Sequence, residues 1–131
     1  MSILLRQFKQ SFKYTGRLSV SDYRVWSLWL LVIFALTYIA HLYAVSVLNN
    51  NAAASINAVT AVYVFYTALL FVYVFLLFAI VSALVRRNHD LGRSGWFSVL
   101  WFVPYIGIMY WIYLVCAKGT QGPNAYGPPA Q

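Results

Sequence analysis

Sixty-one consecutive residues, 25–85, contain no Asp, Glu, Lys or Arg, and a second charge-free run of 24 residues covers 94–117. A soluble domain keeps charge on its surface, and monomers seldom expose a contiguous apolar patch beyond a few hundred Å². This feature excludes a soluble enzyme, a nucleic-acid-binding domain and a disordered tail. It predicts a small integral membrane protein. Composition agrees, because 8% of the 131 residues are charged whereas ordinary soluble domains carry about 25%.

Three apolar segments follow a basic leader. They cover 25–48, 58–85 and 96–117, and each meets the requirement of about 20 residues for a hydrocarbon layer about 30 Å thick. The second would reach about 42 Å as a helix and must tilt or emerge. A barrel would need many alternating strands instead. The expectation is a single all-α membrane domain, 1–131, with three transmembrane helices. Within residues 1–24, Leu4, Phe8 and Phe12 fall at i, i+4, i+8, with Arg6, Lys9 and Lys13 elsewhere on the wheel. This predicts a basic amphipathic interfacial helix before the first span; a solvated leader is the open alternative. The leader has no separate apolar core or small-residue cleavage site, so no signal peptide is expected.

Charge placement predicts orientation. Nine Lys and Arg against two acids give a net charge of +7. Arg6, Lys9, Lys13, Arg17 and Arg24 precede the first span, and Arg86, Arg87 and Arg93 lie in the second break. The first break holds Asn49, Asn50, Asn51, Ser55 and Asn57, and the tail 118–131 holds Lys118 alone. Basic residues favour the cytoplasmic side, so the N-terminus and the second break are expected there, with the tail in the periplasm. Cationic clusters beside spans point to anionic lipids as partners rather than to nucleic acid. Pro104 and Gly107 predict a kink in the third helix. Were they to fold that segment back on itself, the tail would return to the cytoplasmic side, and the two short halves would need protein shelter.

Two polar motifs carry the remaining chemistry. Ser19 and Asp22, three residues apart before an apolar run, fit a capping box, with Gly16 turning the chain into the first span. In the second motif, Gly92 should end one helix and Ser94 cap the next. Arg86, His89, Asp90 and Arg93 would share a helix face, while adjacent His89 and Asp90 diverge and make a poor catalytic dyad. Because the only acids lie beside arginines, Arg17 with Asp90, or Asp22 with Arg87, would tie the first helix to the others. The tail holds Gly119, Asn124 and Gly127 among three Gly and three Pro, so it cannot be a regular helix.

Gly16-Arg17 with Ser19, Ser21, Asp22 and Tyr23, then Arg86-Arg87 with His89-Asp90, Gly92 and Ser94-Gly95-Trp96, then Pro104 and Gly107, then the tail from Gly119 to Pro128 form one ordered set. Over about 14–129 the chain resembles the small bacterial inner-membrane proteins catalogued as domain of unknown function 805. Val20, Arg24 and Asn88 depart from that pattern, where Arg, Trp and an apolar residue are usual. The resemblance implies a bacterial multi-pass inner-membrane protein and brings no activity with it.

The leading functional expectation is non-enzymatic. Arg17, Arg86, Arg87 and Arg93, steadied by Asp22, His89, Asp90 and Ser94, would form a cytoplasmic-leaflet pocket for an anionic headgroup or amphiphile, since guanidinium suits phosphate bidentately. The alternatives are an assembly or scaffold subunit packed on a membrane-protein partner, and a homo-oligomeric transporter or proton-linked channel using His41 and His89. No nucleophile–base–orienter set, metal-ligand cluster or phosphate-cradling glycine loop is present, so neither a catalytic role nor a metal or other cofactor is expected. Cys116 stands alone, which excludes an internal disulfide.

Overall fold

The computed structural model describes residues 5–6, 9–50 and 56–130. Helix α1 is Val20–Asn50, α2 is Ile56–Asp90, a 3-10 helix covers Gly95–Phe102, and α3 is Ile106–Cys116. No strand is present among the described residues; the one extended pairing is an isolated bridge between Asn124 and Gly127. The chain divides into two compact units, one of 28–76 and one made of the residues before and after them.

In the 28–76 unit, α1 and α2 pair antiparallel: Phe34 meets Tyr73 with ring centroids 6.0 Å apart, and His41 meets Tyr66 at 5.8 Å. The outward faces are apolar, with Leu28, Leu36, Tyr43, Tyr63 and Phe71 all exposed. Polar side chains on these faces bond locally. Thr37, Thr60 and Thr67 donate to carbonyls four residues back at 2.8–3.0 Å, and His41 Nδ1 meets the Tyr66 hydroxyl at 2.9 Å. Lipid hydrocarbon demands such internal satisfaction and tolerates such surfaces. Both helices are long and apolar enough to cross a membrane.

In the other unit, Ser19 caps α1 by accepting from the Asp22 amide at 3.2 Å. The N-terminal segment packs on a small-residue stretch of α2: Ala79 and Ala83 are buried, and Ser82 donates to the carbonyls of Gln10 and Lys13 at 3.0 and 2.6 Å. Leu5, Arg6 and Lys9 are helical and 10–12 form a turn; much of the expected interfacial helix (1–4, 7 and 8) lies outside the described residues. Phe12 packs on Phe78 at 5.7 Å.

The expectation of a third spanning helix over 96–117 requires correction. That segment begins with Gly95 against Val85 and His89, and ends with Leu114 and Ala117 accepting hydrogen bonds from Arg87. It leaves the end of α2 and returns to it. The reversal has local causes: Pro104 offers no amide to continue the 3-10 helix, and Tyr105 takes φ +62°. At Gly107 the backbone runs so close to the Trp101 carbonyl oxygen that a Cβ would fall inside contact distance. At 1.5 Å per residue, α3 is about 16 Å long, roughly half a hydrocarbon layer. The tail position changes with it. Expected on the opposite side from the arginine cluster, it lies directly upon it.

Candidate functional site: an arginine–aspartate cluster at the end of α2

Helix α2 ends in a Schellman motif: Arg93 N–H bonds to Asn88 O at 2.9 Å and Gly92 N–H to His89 O at 3.0 Å, with Gly92 at φ +71°. Only a residue without Cβ adopts that conformation at little cost. The turn leaves the Asp90 carbonyl to be met from elsewhere, and the tail meets it. Thr120 bonds there through its amide at 2.8 Å and its hydroxyl at 3.0 Å. Asn124 Nδ2 reaches the His89 carbonyl at 2.9 Å, while its Oδ1 accepts from the Tyr126 amide. The Tyr126 ring then stacks on His89, centroids 3.9 Å apart and 5° from parallel. His89 Nδ1 lies 3.2 Å from the Gly16 carbonyl, so that nitrogen donates.

Asp90 is the hub. Its Oδ1 receives Arg17 Nε and Nη2, both at 3.0 Å, and its Oδ2 receives Arg87 Nη1. The side chains are 2% exposed for Arg17, 0% for Arg87 and 5% for Asp90. Two guanidinium groups so dehydrated must spend every N–H on an acceptor. Arg17 also donates to the carbonyls of Thr120 at 2.6 Å, Gly122 at 2.7 Å and Gly127 at 3.5 Å. Arg87 also donates from Nε to Leu114 O at 3.0 Å and from Nη2 to Ala117 O. Arg24 Nε bonds to Val115 O at 2.8 Å. The last turn of α3, whose carbonyls have no partner within the helix, is thus capped by two arginines, which also complement its dipole.

Not every candidate joins this cluster. Asp22, a possible partner for Arg87, instead pairs with Arg6, because Arg87 is already turned toward Asp90 and α3. Arg86 bonds to Gln10 Oε1 at 2.6 Å, holding the N-terminal segment. Ser94 caps the 3-10 helix, accepting from Trp96 N–H at 3.4 Å. Arg93 follows the helix-ending Gly92 and so leaves the face it was expected to share. It lies exposed over the rings of Tyr113 at 4.8 Å and Phe97 at 5.8 Å. Of the tail residues, Gly119 packs so tightly on the Asp90 carboxylate that a Cβ would displace it.

Three participants escaped the sequence reading. Asn88 stands where the resembling proteins usually carry an apolar residue, and it donates to Leu84 O at 2.9 Å and Ser98 Oγ at 3.3 Å and accepts from the Tyr110 hydroxyl, joining α2 to both arms of the hairpin. Thr120 and Tyr126 act through backbone and ring contacts that carry no spacing signal. Among the described residues no group of three His, Cys, Asp or Glu could hold a metal.

A profile of the family described as "Protein of unknown function (DUF805)" matches residues 11–128. Inner membrane protein YhaI of Escherichia coli K12 is 42% identical over 48 residues, covering 37% of this chain and 41% of that relative. Inner membrane protein YhaH of the same strain is 44% identical over 43 residues, covering 33% of this chain and 36% of its own length. The chain therefore spans well under half the length of the curated relatives it matches. No solved structure matches it.

Proposed function

The chain belongs to the DUF805 family of proteins of unknown function and resembles two inner membrane proteins, and from that premise we propose a non-enzymatic inner-membrane scaffold whose arginine–aspartate cluster is a structural latch. In this reading α1 and α2 cross the bilayer, and the N-terminus, the 86–95 break and the tail share the cytoplasmic side. The hairpin of 95–117 dips into the near leaflet and comes back out. The observation that carries it is the capping of α3: Arg87 and Arg24 supply donors to the carbonyls of Leu114, Val115 and Ala117. These bonds hold the returning end of α3 at the end of α2, and at the tip, where hydrocarbon demands that backbone groups satisfy themselves, the amides of Ile106 and Gly107 donate to Pro104 O and Val103 O, both at 2.7 Å.

The anionic-headgroup role expected for the whole cluster is narrowed by the same geometry. Arg17 and Arg87 give their N–H groups to Asp90 and to carbonyls, so headgroup contact falls to cations outside the latch. The exposed hairpin, with Trp96 83% and Tyr105 86% exposed, also favours packing against another membrane protein, and a stoichiometric heterologous partner cross-linked in native membranes would support that second reading.

Single-cysteine variants in a Cys116→Ser background test the arrangement. With a membrane-impermeant thiol reagent, Lys13→Cys, Arg93→Cys and Lys118→Cys should label from the cytoplasmic side and Asn57→Cys from the other. Tyr105→Cys should label only after detergent is added. Labelling of positions 13 and 118 from opposite sides would overturn the proposal.

A further inference from the structure

Nine cations face two carboxylates in this sequence, and both carboxylates are consumed: Asp22 by Arg6, Asp90 by Arg17 and Arg87. Arg93, Lys118 and Arg24 therefore have no side-chain acid left to pair with, and all three are exposed. They gather around one feature, the end of α3. Arg93 lies over Tyr113, Arg24 bonds to Val115 O, and Lys118 follows two residues after the helix closes at Cys116. Among the described residues Arg93 and Lys118 make no hydrogen bond or ion pair with a side chain. Around this cationic rim the hairpin presents apolar surface, with Trp96, Phe97, Ile112 and Tyr113 exposed.

We infer that the base of the hairpin is a binding site for an anionic phospholipid, whose phosphate is held by Arg93 and Lys118 with Arg24 beside them and whose acyl chains lie along the hairpin. The chemistry fits on both counts. A guanidinium seated on aromatic rings is partly stripped of water on that side while its edge stays open to a phosphate oxygen. Tyr and Trp favour the depth where headgroup meets hydrocarbon, next to the arginine. The latch cannot compete for the lipid, since its arginines are buried and engaged. The site rests on the proposed position of the hairpin in the leaflet, and its test separates the two ideas.

The full chain is reconstituted in bilayers of equal parts phosphatidylcholine and phosphatidylglycerol, extracted in mild detergent, and its retained lipids are identified by native mass spectrometry. Wild-type protein should keep phosphatidylglycerol in preference to phosphatidylcholine. Taking roughly a fivefold preference for each of the two cations that hold the phosphate, Arg93→Gln with Lys118→Gln should lower the retained ratio about 25-fold. Lys9→Gln with Lys13→Gln, removing exposed cations of the N-terminal segment, should leave it unchanged. An excess of inorganic phosphate should not displace the lipid. Equal retention by the Arg93/Lys118 variant, an equal loss in the Lys9/Lys13 variant, release by phosphate, or a second protein in place of lipid would each overturn the inference. Labelling Tyr105→Cys in the same bilayers keeps the outcomes apart: a shielded Tyr105 position with unchanged lipid refutes the site alone, whereas an accessible one refutes the hairpin's placement.

Discussion

Replacing Asp90 by Asn removes the one negative charge between two buried guanidinium groups while preserving shape. Asp90 serves Arg17 through Oδ1 and Arg87 through Oδ2, and an amide can offer an acceptor to only one of them. At the other it presents donor to donor. Breaking a buried pair by deleting one partner costs about 3–5 kcal/mol, because the remaining charge is left uncompensated away from water. Most of that loss should appear as local opening of the tail, which is held by Arg17 through Thr120, Gly122 and Gly127. Trypsin reads the opening directly. Lys118 is exposed, but the following Gly119 is pressed against the Asp90 carboxylate, so the 118–119 bond is accessible only when the tail lifts. Where reclosing is fast, cleavage tracks the open population, and release of fragment 119–131 should accelerate between roughly a hundredfold and a few thousandfold. Arg93→Gln, outside the latch, should leave the rate unchanged. Wild-type release from the Asp90→Asn protein would refute the claim that this carboxylate holds the tail.

Three further outcomes follow from single contacts. Gly107→Ala forces a Cβ into the Trp101 carbonyl and should destabilise the hairpin by about 1–3 kcal/mol, read as a lowered melting temperature in detergent, while Ile108→Ala on the exposed neighbour should not. Tyr126→Ala removes the ring stacked on His89, a contact of about 0.5–1.5 kcal/mol, and should speed tryptic release at Lys118 by about two- to tenfold. Gly92→Ala places a side chain at φ +71° and should cost about 1–2 kcal/mol, measured as faster hydrogen exchange of the Gly92 and Arg93 amides.

Local chemistry was legible wherever one residue and its near neighbours decide the outcome. Ser19 capping α1, Gly92 ending α2 and Ser94 capping the 3-10 helix each follow from short-range rules, because a cap side chain reaches only two or three residues along the chain. The pairing of Arg17 with Asp90 was one of two alternatives, since a chain with two acids among nine cations leaves few partners. Choosing between them required knowing that Arg87 faces α3. Likewise Arg93 lay on a shared face only so long as the helix was extended past Gly92.

The amino-acid order alone determined that this is a helical membrane protein: 61 residues without a charge cannot live in water, and hydrocarbon admits only backbone that satisfies itself. It also determined where the polar joints lie. The path of the third apolar segment was a tertiary decision. Its length and hydropathy suit a spanning helix, and Pro104 and Gly107 permit a bend without stating its size. What selects reversal is the set of donors waiting at the end of α2, where Arg87 captures the carbonyls of Leu114 and Ala117 and Arg17 gathers the tail. Those bonds join residues 27 to 110 positions apart, a separation at which no periodicity or spacing in the sequence carries a signal.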